Sequence, residues 1–304
     1  MAPTDPRATT PSDIRSAADA LRGVAVVTKL ERSERLSDQT GTDVLLKRED
    51  QQKCRSFKVR GAFARMSLLT AEERERGVVC ASAGNHAQGV AYSCAHLKVP
   101  GTIYLPSNTP LQKRRRIATI GGDWVEQVIV DGTFDAANSL AQEAAAQTGR
   151  VYVHPYDDPM TIAGQGTIGV ELVEQMPSDT AAVLVPVGGG GLIAGIATWL
   201  RAVRPEVAVI GVEPAGAASM HAALAAGYRH DPGEGGRLRR WHSRGPHGGR
   251  ALRGGQALRR PCAGGPRGRC VHGDAGAVPV RRGDRRARRG AGVDGGVRLP
   301  LRPF

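Results

Sequence analysis

A regular alternation of short apolar runs with longer helical patterns occupies residues 44–226 and limits what this chain can fold into. The apolar runs have the length of strands and lie at residues 44–47, 78–81, 102–105, 124–130, 182–187 and 207–212. Stretches with helical periodicity lie at residues 59–69, 86–96, 110–119, 134–147, 162–175, 192–203 and 215–226. Strands separated by helices of this length need crossover connections, so the sequence predicts an α/β protein whose parallel sheet is covered on both faces.

The end of the chain breaks this alternation. The formal net charge is +13, and the whole excess lies in residues 231–304, because residues 1–230 carry equal numbers of acidic and basic side chains. Gly, Arg, Ala and Pro dominate this end, and its few large apolar side chains predict that it stays disordered. These are the amino acids of GC-rich codons, and back-translation of residues 231–242 and 270–280 in one shifted phase admits two sequences of ordinary composition. We therefore interpret residues 229–304 as an out-of-frame tail.

An Arg/Gly-rich nucleic-acid-binding arm is the rival interpretation of this tail. Such an arm needs aromatic side chains between its arginines for base stacking, and only Trp241 and Phe304 are present. The neutral residues 1–230 give no sign of a basic binding face. We expect no nucleic-acid partner.

The apolar stretches and the cysteines of the sequence indicate where the protein is located and whether it binds a metal. No stretch approaches the ~20 apolar residues of a membrane span, and residues 1–10 lack the apolar core of a signal peptide. The cysteines are Cys54, Cys80, Cys94, Cys262 and Cys270. Without Cys-x-x-Cys spacing they indicate reduced thiols and no metal site. The sequence predicts a cytoplasmic protein with no membrane partner.

A run of four glycines at residues 188–191 separates a predicted strand from a predicted helix. Bare backbone amides at the positive end of a helix can wrap an anion, and a phosphate is the expected ligand. A flexible turn without a ligand is the alternative, although four glycines cost conformational entropy that a turn does not require.

The same loop also fits a dinucleotide-binding unit, because Gly189, Gly191 and Ala194 satisfy G-x-G-x-x-A and Glu213 ends the next strand. On that pattern the protein would be an NAD-dependent dehydrogenase. This hypothesis leaves two other motifs, residues 56–62 and 82–89, without a role.

Lys58 lies at a predicted loop-to-helix junction near Lys53, Arg55 and Arg60. Neighbouring positive charge favours the neutral form of a lysine amine, which acts as a nucleophile or base. Residues 82–89 turn from a strand end into a helix and offer side-chain donors and amides suited to a carboxylate. Taken singly, Lys58 fits a solvated lysine, residues 82–89 fit a helix cap, and His86 fits a structural side chain.

Taken together, residues 56–62, 82–89 and 188–191 resemble the motifs of pyridoxal-phosphate enzymes of the tryptophan-synthase-β fold type. Within that fold type the chain is most similar to the serine/threonine dehydratases, and among them to the biosynthetic threonine ammonia-lyases (threonine dehydratases). The resemblance runs from about residue 18 to residue 227. It also takes in residues 46–50, 154–159, 163–167 and 212–217.

The resemblance implies a fold-type II architecture with two parallel-sheet domains. Residues 1–60 and 156–228 would form the large, cofactor-binding domain, and residues 61–155 the small domain. In this fold type a hydroxyl side chain from the C-terminal third meets the pyridine nitrogen, and residues 229–304 as written do not supply it. The large domain would therefore be incomplete, and we expect this chain to be inactive or nearly so.

The resemblance also implies a role for each motif. Lys58 would carry pyridoxal 5'-phosphate as a Schiff base and take the substrate's Cα proton, with Phe57 beside the ring. The phosphate would be held by Gly188, Gly189, Gly190, Gly191 and Leu192. Asn85 would bond to the cofactor's 3-hydroxyl. The substrate carboxylate would be bound by Ser82, Gly84, Asn85 and His86.

The implied reaction is the deamination of L-threonine to 2-oxobutanoate and ammonia, the first step of isoleucine biosynthesis, with L-serine as a second substrate. Ala83 carries no hydroxyl, so the second acid/base expected of a racemase is missing and elimination is favoured. The intact family form is expected to be a homo-oligomer.

Overall fold

The computed structural model describes residues 8–225 and 271–272. The strands are β1 (Leu30–Arg32), β2 (Leu45–Lys47), β3 (Val78–Ala81), β4 (Gly101–Pro106), β5 (Val125–Val130), β6 (Val151–Tyr152), β7 (Ala182–Pro186), β8 (Ala208–Glu213) and β9 (Val271–His272). The helices are α1 (Pro11–Ala20), α2 (Glu34–Thr40), α3 (Lys58–Ser67), α4 (Ala71–Arg76), α5 (Asn85–Leu97), α6 (Leu111–Gly121), α7 (Phe134–Thr148), α8 (Pro159–Gln175), α9 (Gly191–Val203) and α10 (Ser219–Ala225). Across these ranges, no helix combines the length and apolar character needed to cross a bilayer.

Two parallel sheets carry the fold, which confirms the predicted α/β class. One sheet has the strand order β5-β4-β3-β6 and the other β7-β8-β9. Helices α5, α6 and α7 connect successive strands of the first sheet, and α9 connects β7 to β8, as parallel pairing requires. The division into a large domain, residues 1–60 and 156–228, and a small domain, residues 61–155, stays a prediction.

The sequence-based assignment is wrong at two places. The strand predicted at residues 44–47 does not join a parallel sheet, because β2 pairs antiparallel with β1 in a separate two-stranded ribbon. The helix predicted at residues 215–226 is divided into a 3-10 turn (Ala215–Ala217) and the shorter helix α10. The predicted disordered, out-of-frame tail falls on residues outside the described ranges, except for β9, which lies beside the end of β8.

Close helix contacts hold the start of α3 between α5 and α8. A Cβ added to Gly164 on α8 would lie 2.5 Å from the carbonyl oxygen of Arg60. A Cβ added to Gly89 on α5 would lie 3.0 Å from the carbonyl oxygen of Lys58. Glycines at these positions let the helix backbones touch, so the first turn of α3 has little room to move.

The three cysteines within the described residues are buried and reduced. Burial raises the pKa of the Cys54 thiol to about 11 and that of Cys94 to about 12, and it raises the pKa of Cys80 further. Because only the thiolate reacts, these groups are expected to resist modification while the chain is folded.

This resistance can be measured with dithionitrobenzoate at pH 8. In a chain carrying Cys262→Ser and Cys270→Ser, we expect native labelling about 100-fold slower than labelling in guanidinium, from the smaller thiolate fraction alone. Labelling of the native chain at the denatured rate would contradict the burial of these thiols.

Candidate active site

Lys58 is the first residue of α3, and its amine has a defined partner. The side chain is half-buried, and Nζ donates a hydrogen bond of 2.6 Å to the carbonyl oxygen of Pro155. Nζ also lies 5.4 Å from the centre of the Phe57 ring. The amine is thus oriented by residues 97 positions away in the sequence.

Two of the three cations near Lys58 in the sequence have other partners. Lys53 Nζ lies 3.0 Å from the hydroxyl of Tyr92 on α5. The Arg60 guanidinium points to the carboxylates of Glu49, in the 3-10 turn Glu49–Gln51, and Glu171, on α8. The expectation that Lys53 and Arg60 activate Lys58 is therefore not supported, because both side chains bond to groups outside the surroundings of the Lys58 amine.

Arg60 forms the centre of a buried ion-pair cluster. Its side chain is 1% exposed, and it donates two bonds of 2.8 Å to the carboxylate of Glu49 and one of 2.6 Å to Glu171. Lys47 pairs with the other oxygen of Glu171. Burial alone would lower the pKa of the Arg60 guanidinium, but these bonds outweigh it and raise that pKa. The cluster ties α3 to α8 two residues along the helix from Lys58.

The loop between β3 and α5 presents an open helix N-terminus. Ser82 Oγ accepts a 3.2 Å bond from the Gly84 amide, and no side chain caps the 13-residue helix that begins at Asn85. A Cβ added to Gly84 would meet only Ser82 Oγ, at 4.0 Å, so the space above this loop is open. Uncapped amides beside open space suit an anion such as a carboxylate.

His86 lies in the first turn of α5 with its ring turned inward. The residue is 3% exposed, and Nε2 lies 2.8 Å from the carbonyl oxygen of Val153. The ring is therefore directed at the backbone just after β6, and a role of His86 at a substrate carboxylate stays a prediction.

Three positions of the glycine loop require glycine, each for a different structural reason. Gly190 has a φ of 83°, which only glycine adopts without strain. A Cβ on Gly189 would lie 2.3 Å from the ring of Tyr156, and one on Gly191 would lie 2.6 Å from the carbonyl oxygen of Tyr156. No side chain caps α9, so the amides before Leu192 are available to an anion.

A single turn, residues 154–157, joins the lysine to the glycine loop. Pro155 provides the carbonyl that holds Lys58 Nζ, and Tyr156 packs on Gly189 and Gly191. Sequence reasoning gave this turn no role. The sequence does mark the end of this turn, because Asp158 and Pro159 are typical of a helix start. Asp158 caps α8 by accepting bonds from the amides of Met160 and Thr161 at 3.0 and 2.8 Å, and Pro159 is the first helical residue.

The arrangement defines a class of protein. It combines a parallel α/β fold, one oriented lysine amine and the uncapped N-termini of α5 and α9. A carbonyl compound that also carries a phosphate fits this donor set, because the amine can bond to the carbonyl and the glycine loop can hold the phosphate. Within residues 8–225 and 271–272, no group of three or more side chains could hold a metal ion.

The comparisons with known proteins identify the family. The model of the family described as "Pyridoxal-phosphate dependent enzyme" matches residues 22–247, and the chain belongs to this family. Its cofactor is accordingly pyridoxal phosphate, the phosphorylated aldehyde that the site fits. The individual roles given to Lys58, Phe57 and the loop residues stay predictions.

Among curated relatives, the chain is 53% identical over 215 residues to the biosynthetic L-threonine dehydratase of Mycobacterium leprae, covering 71% of this chain and 50% of the relative. It is 45% identical over 208 residues to the corresponding protein of Bacillus subtilis, covering 68% and 49%. The chain thus spans about half the length of the curated relatives it matches.

Solved structures show the same fold. The processed form of threonine deaminase isoform 2 from Solanum lycopersicum matches with a TM-score of 0.67 and 43% identity, covering 75% of this chain and 66% of that one. Maize serine racemase matches with a TM-score of 0.73 and 28% identity, covering 87% and 77%. These matches confirm the fold-type II prediction.

The two competing hypotheses gain no support. Glu213, which the dehydrogenase hypothesis needs for a ribose, is 5% exposed and accepts bonds from the amides of Met220 and His221 at 2.9 and 2.8 Å. It therefore stabilises the start of α10. The nucleic-acid hypothesis rests on residues that lie outside the described ranges.

Proposed function

We propose that this chain carries the site of a threonine dehydratase, which converts L-threonine to 2-oxobutanoate and ammonia and accepts L-serine as a second substrate. One observation carries the proposal: the turn of residues 154–157 places the Lys58 amine and the glycine loop against the same piece of backbone. The same proposal includes a cytoplasmic location and catalysis of the first step of isoleucine biosynthesis. It also includes a homo-oligomeric state of the whole protein.

Under this proposal the two open helix ends bind the two anions. The phosphate lies at the start of α9, on Gly188, Gly189, Gly190, Gly191 and Leu192, and the Phe57 ring lies beside the cofactor. Asn85 bonds to the cofactor's 3-hydroxyl. The substrate carboxylate lies at the start of α5, on Ser82, Gly84, Asn85 and His86. The two anion assignments are supported by the lack of a side-chain cap on α5 and on α9.

Lys58 Nζ is the group that moves protons. When bound, pyridoxal phosphate supplies an electron sink for the charge left on the substrate Cα. The amine of Lys58 takes the Cα proton, and the carbonyl of Pro155 orients it through the 2.6 Å bond. Ala83 provides no second acid/base beside the substrate, so loss of the β-hydroxyl is favoured over return of a proton to Cα.

The test uses the 304-residue chain mixed with pyridoxal phosphate. We expect a visible absorption band of lysine-bound cofactor that borohydride traps on residue 58, and that Lys58→Ala abolishes. Lys53→Ala is the matched control, because Lys53 is exposed and bonds to Tyr92, outside the site.

Turnover is measured with enzyme in excess over L-threonine, because the chain is expected to be nearly inactive and a single slow turnover then converts a measurable share of the substrate. We expect 2-oxobutanoate and ammonia in equal amounts, and a slower release of pyruvate from L-serine. A band that persists in Lys58→Ala, or faster release of pyruvate from L-serine than of 2-oxobutanoate from L-threonine, would overturn the proposal.

A further inference from the structure

His154 holds the turn that joins the lysine to the glycine loop. Its Nδ1 accepts hydrogen bonds from the backbone amides of Tyr156, at 3.3 Å, and Asp157, at 2.8 Å. One ring nitrogen thus bonds to the amides two and three positions further along the chain. This is the bonding that a short Asx side chain makes when it closes a turn.

The geometry of this turn reaches both halves of the site. Pro155, between His154 and the bonded amides, points its carbonyl at Lys58 Nζ. Tyr156 follows, with its ring 4.8 Å from the His154 ring at an interplanar angle of 83° and its atoms against Gly189 and Gly191. A change in the turn therefore moves the acceptor of the amine and the wall of the phosphate loop together.

We propose that His154 is a positioning residue whose Nδ1 sets the place of the Lys58 amine relative to the glycine loop. The inference rests on the proposed function and adds to it a residue that acts through Pro155 and Tyr156. Without an acceptor at Nδ1, the amides of Tyr156 and Asp157 lose these bonds and the Pro155 carbonyl is no longer fixed. Small displacements of a reacting amine have large effects on rate, so the lysine should respond more than the fold does.

Two substitutions separate the acceptor from the ring. His154→Phe keeps an aromatic ring against Tyr156 but has no acceptor. His154→Asn removes the ring but keeps an oxygen that can accept from the same two amides. A role in positioning predicts that Phe is the damaging change and Asn the tolerated one, whereas a role in packing predicts the reverse order.

The readouts are the dissociation constant for pyridoxal phosphate, from the visible band, and the rate at which borohydride traps the cofactor on Lys58. We expect His154→Phe to weaken binding and slow trapping by at least about tenfold, and His154→Asn to stay within about threefold of the unmodified chain. His96→Phe is the matched control, because His96, on α5, packs on Phe63 of α3 and Tyr92 of α5. Circular dichroism shows that each variant is folded before it is measured.

Equal behaviour of the two His154 variants, or greater damage from His154→Asn, would overturn the inference. These results differ from failure of the proposed function, in which the unmodified chain itself forms no Lys58-dependent complex. If His154→Phe does not fold, the inference is decided by His154→Asn alone, since a tenfold loss in that variant contradicts a role as acceptor.

Discussion

Arg60→Met is expected to lower the free energy of unfolding by about 3–5 kcal/mol, one of the two largest effects that the structure predicts. Methionine fills a similar volume, so the loss comes from charge and not from a cavity. The carboxylates of Glu49 and Glu171 would remain in a largely buried site without their shared guanidinium, and Lys47 can compensate only Glu171. Removing one partner of a buried ion pair leaves the other charge buried and uncompensated.

The measurement is equilibrium unfolding in urea, with Arg48→Met as the matched control. Arg48 also pairs with two carboxylates, those of Asp50 and Glu31, but at the surface. Water screens such pairs, so the control should differ little from the unmodified chain. Arg60→Lys tests geometry, because one ammonium cannot reproduce the fork of bonds to both carboxylates, and an intermediate loss is expected. Equal effects of Arg60→Met and Arg48→Met would show that the buried cluster does not stabilise the fold.

The sequence predicted the parts of the site that depend on local backbone chemistry. The loop after β7 could be recognised because four consecutive glycines between a strand and a helix leave few interpretations. The position of Lys58 at the start of α3 also follows from the local pattern. In both places the signal comes from residues within a few positions, which is where sequence patterns are most informative.

The parts that sequence reasoning missed depend on contacts distant in the chain. Lys58 and its acceptor Pro155 are 97 residues apart, and the acceptor is a backbone carbonyl, which no residue type signals. Arg60 was grouped with Lys58 by adjacency, yet its partner Glu171 is 111 residues away. The strand β2 was assigned to a parallel sheet because its three-residue partner β1 is too short to give a pattern of its own.

Gly189→Ala and Gly191→Ala are each expected to lower the free energy of unfolding by about 1–3 kcal/mol, because the added methyl group overlaps Tyr156. The two clashes differ in kind. At Gly189 the methyl meets the Tyr156 ring, at 2.3 Å, whereas at Gly191 it meets the Tyr156 backbone, with the carbonyl oxygen at 2.6 Å. Only the first clash can be removed by shortening the tyrosine.

Double-mutant cycles with Tyr156→Ala therefore separate the two positions. We expect Tyr156→Ala to recover most of the stability lost in Gly189→Ala and almost none of that lost in Gly191→Ala, since truncation leaves the carbonyl in place. Equal coupling at both positions would contradict the packing of Tyr156 on this loop. The same pairs test the anion site: if the amides of residues 188–191 hold the cofactor's phosphate, Gly191→Ala should weaken cofactor binding in both backgrounds. Gly189→Ala should weaken it only while the tyrosine ring is present, because the displaced ring, and not the methyl group, then distorts the loop.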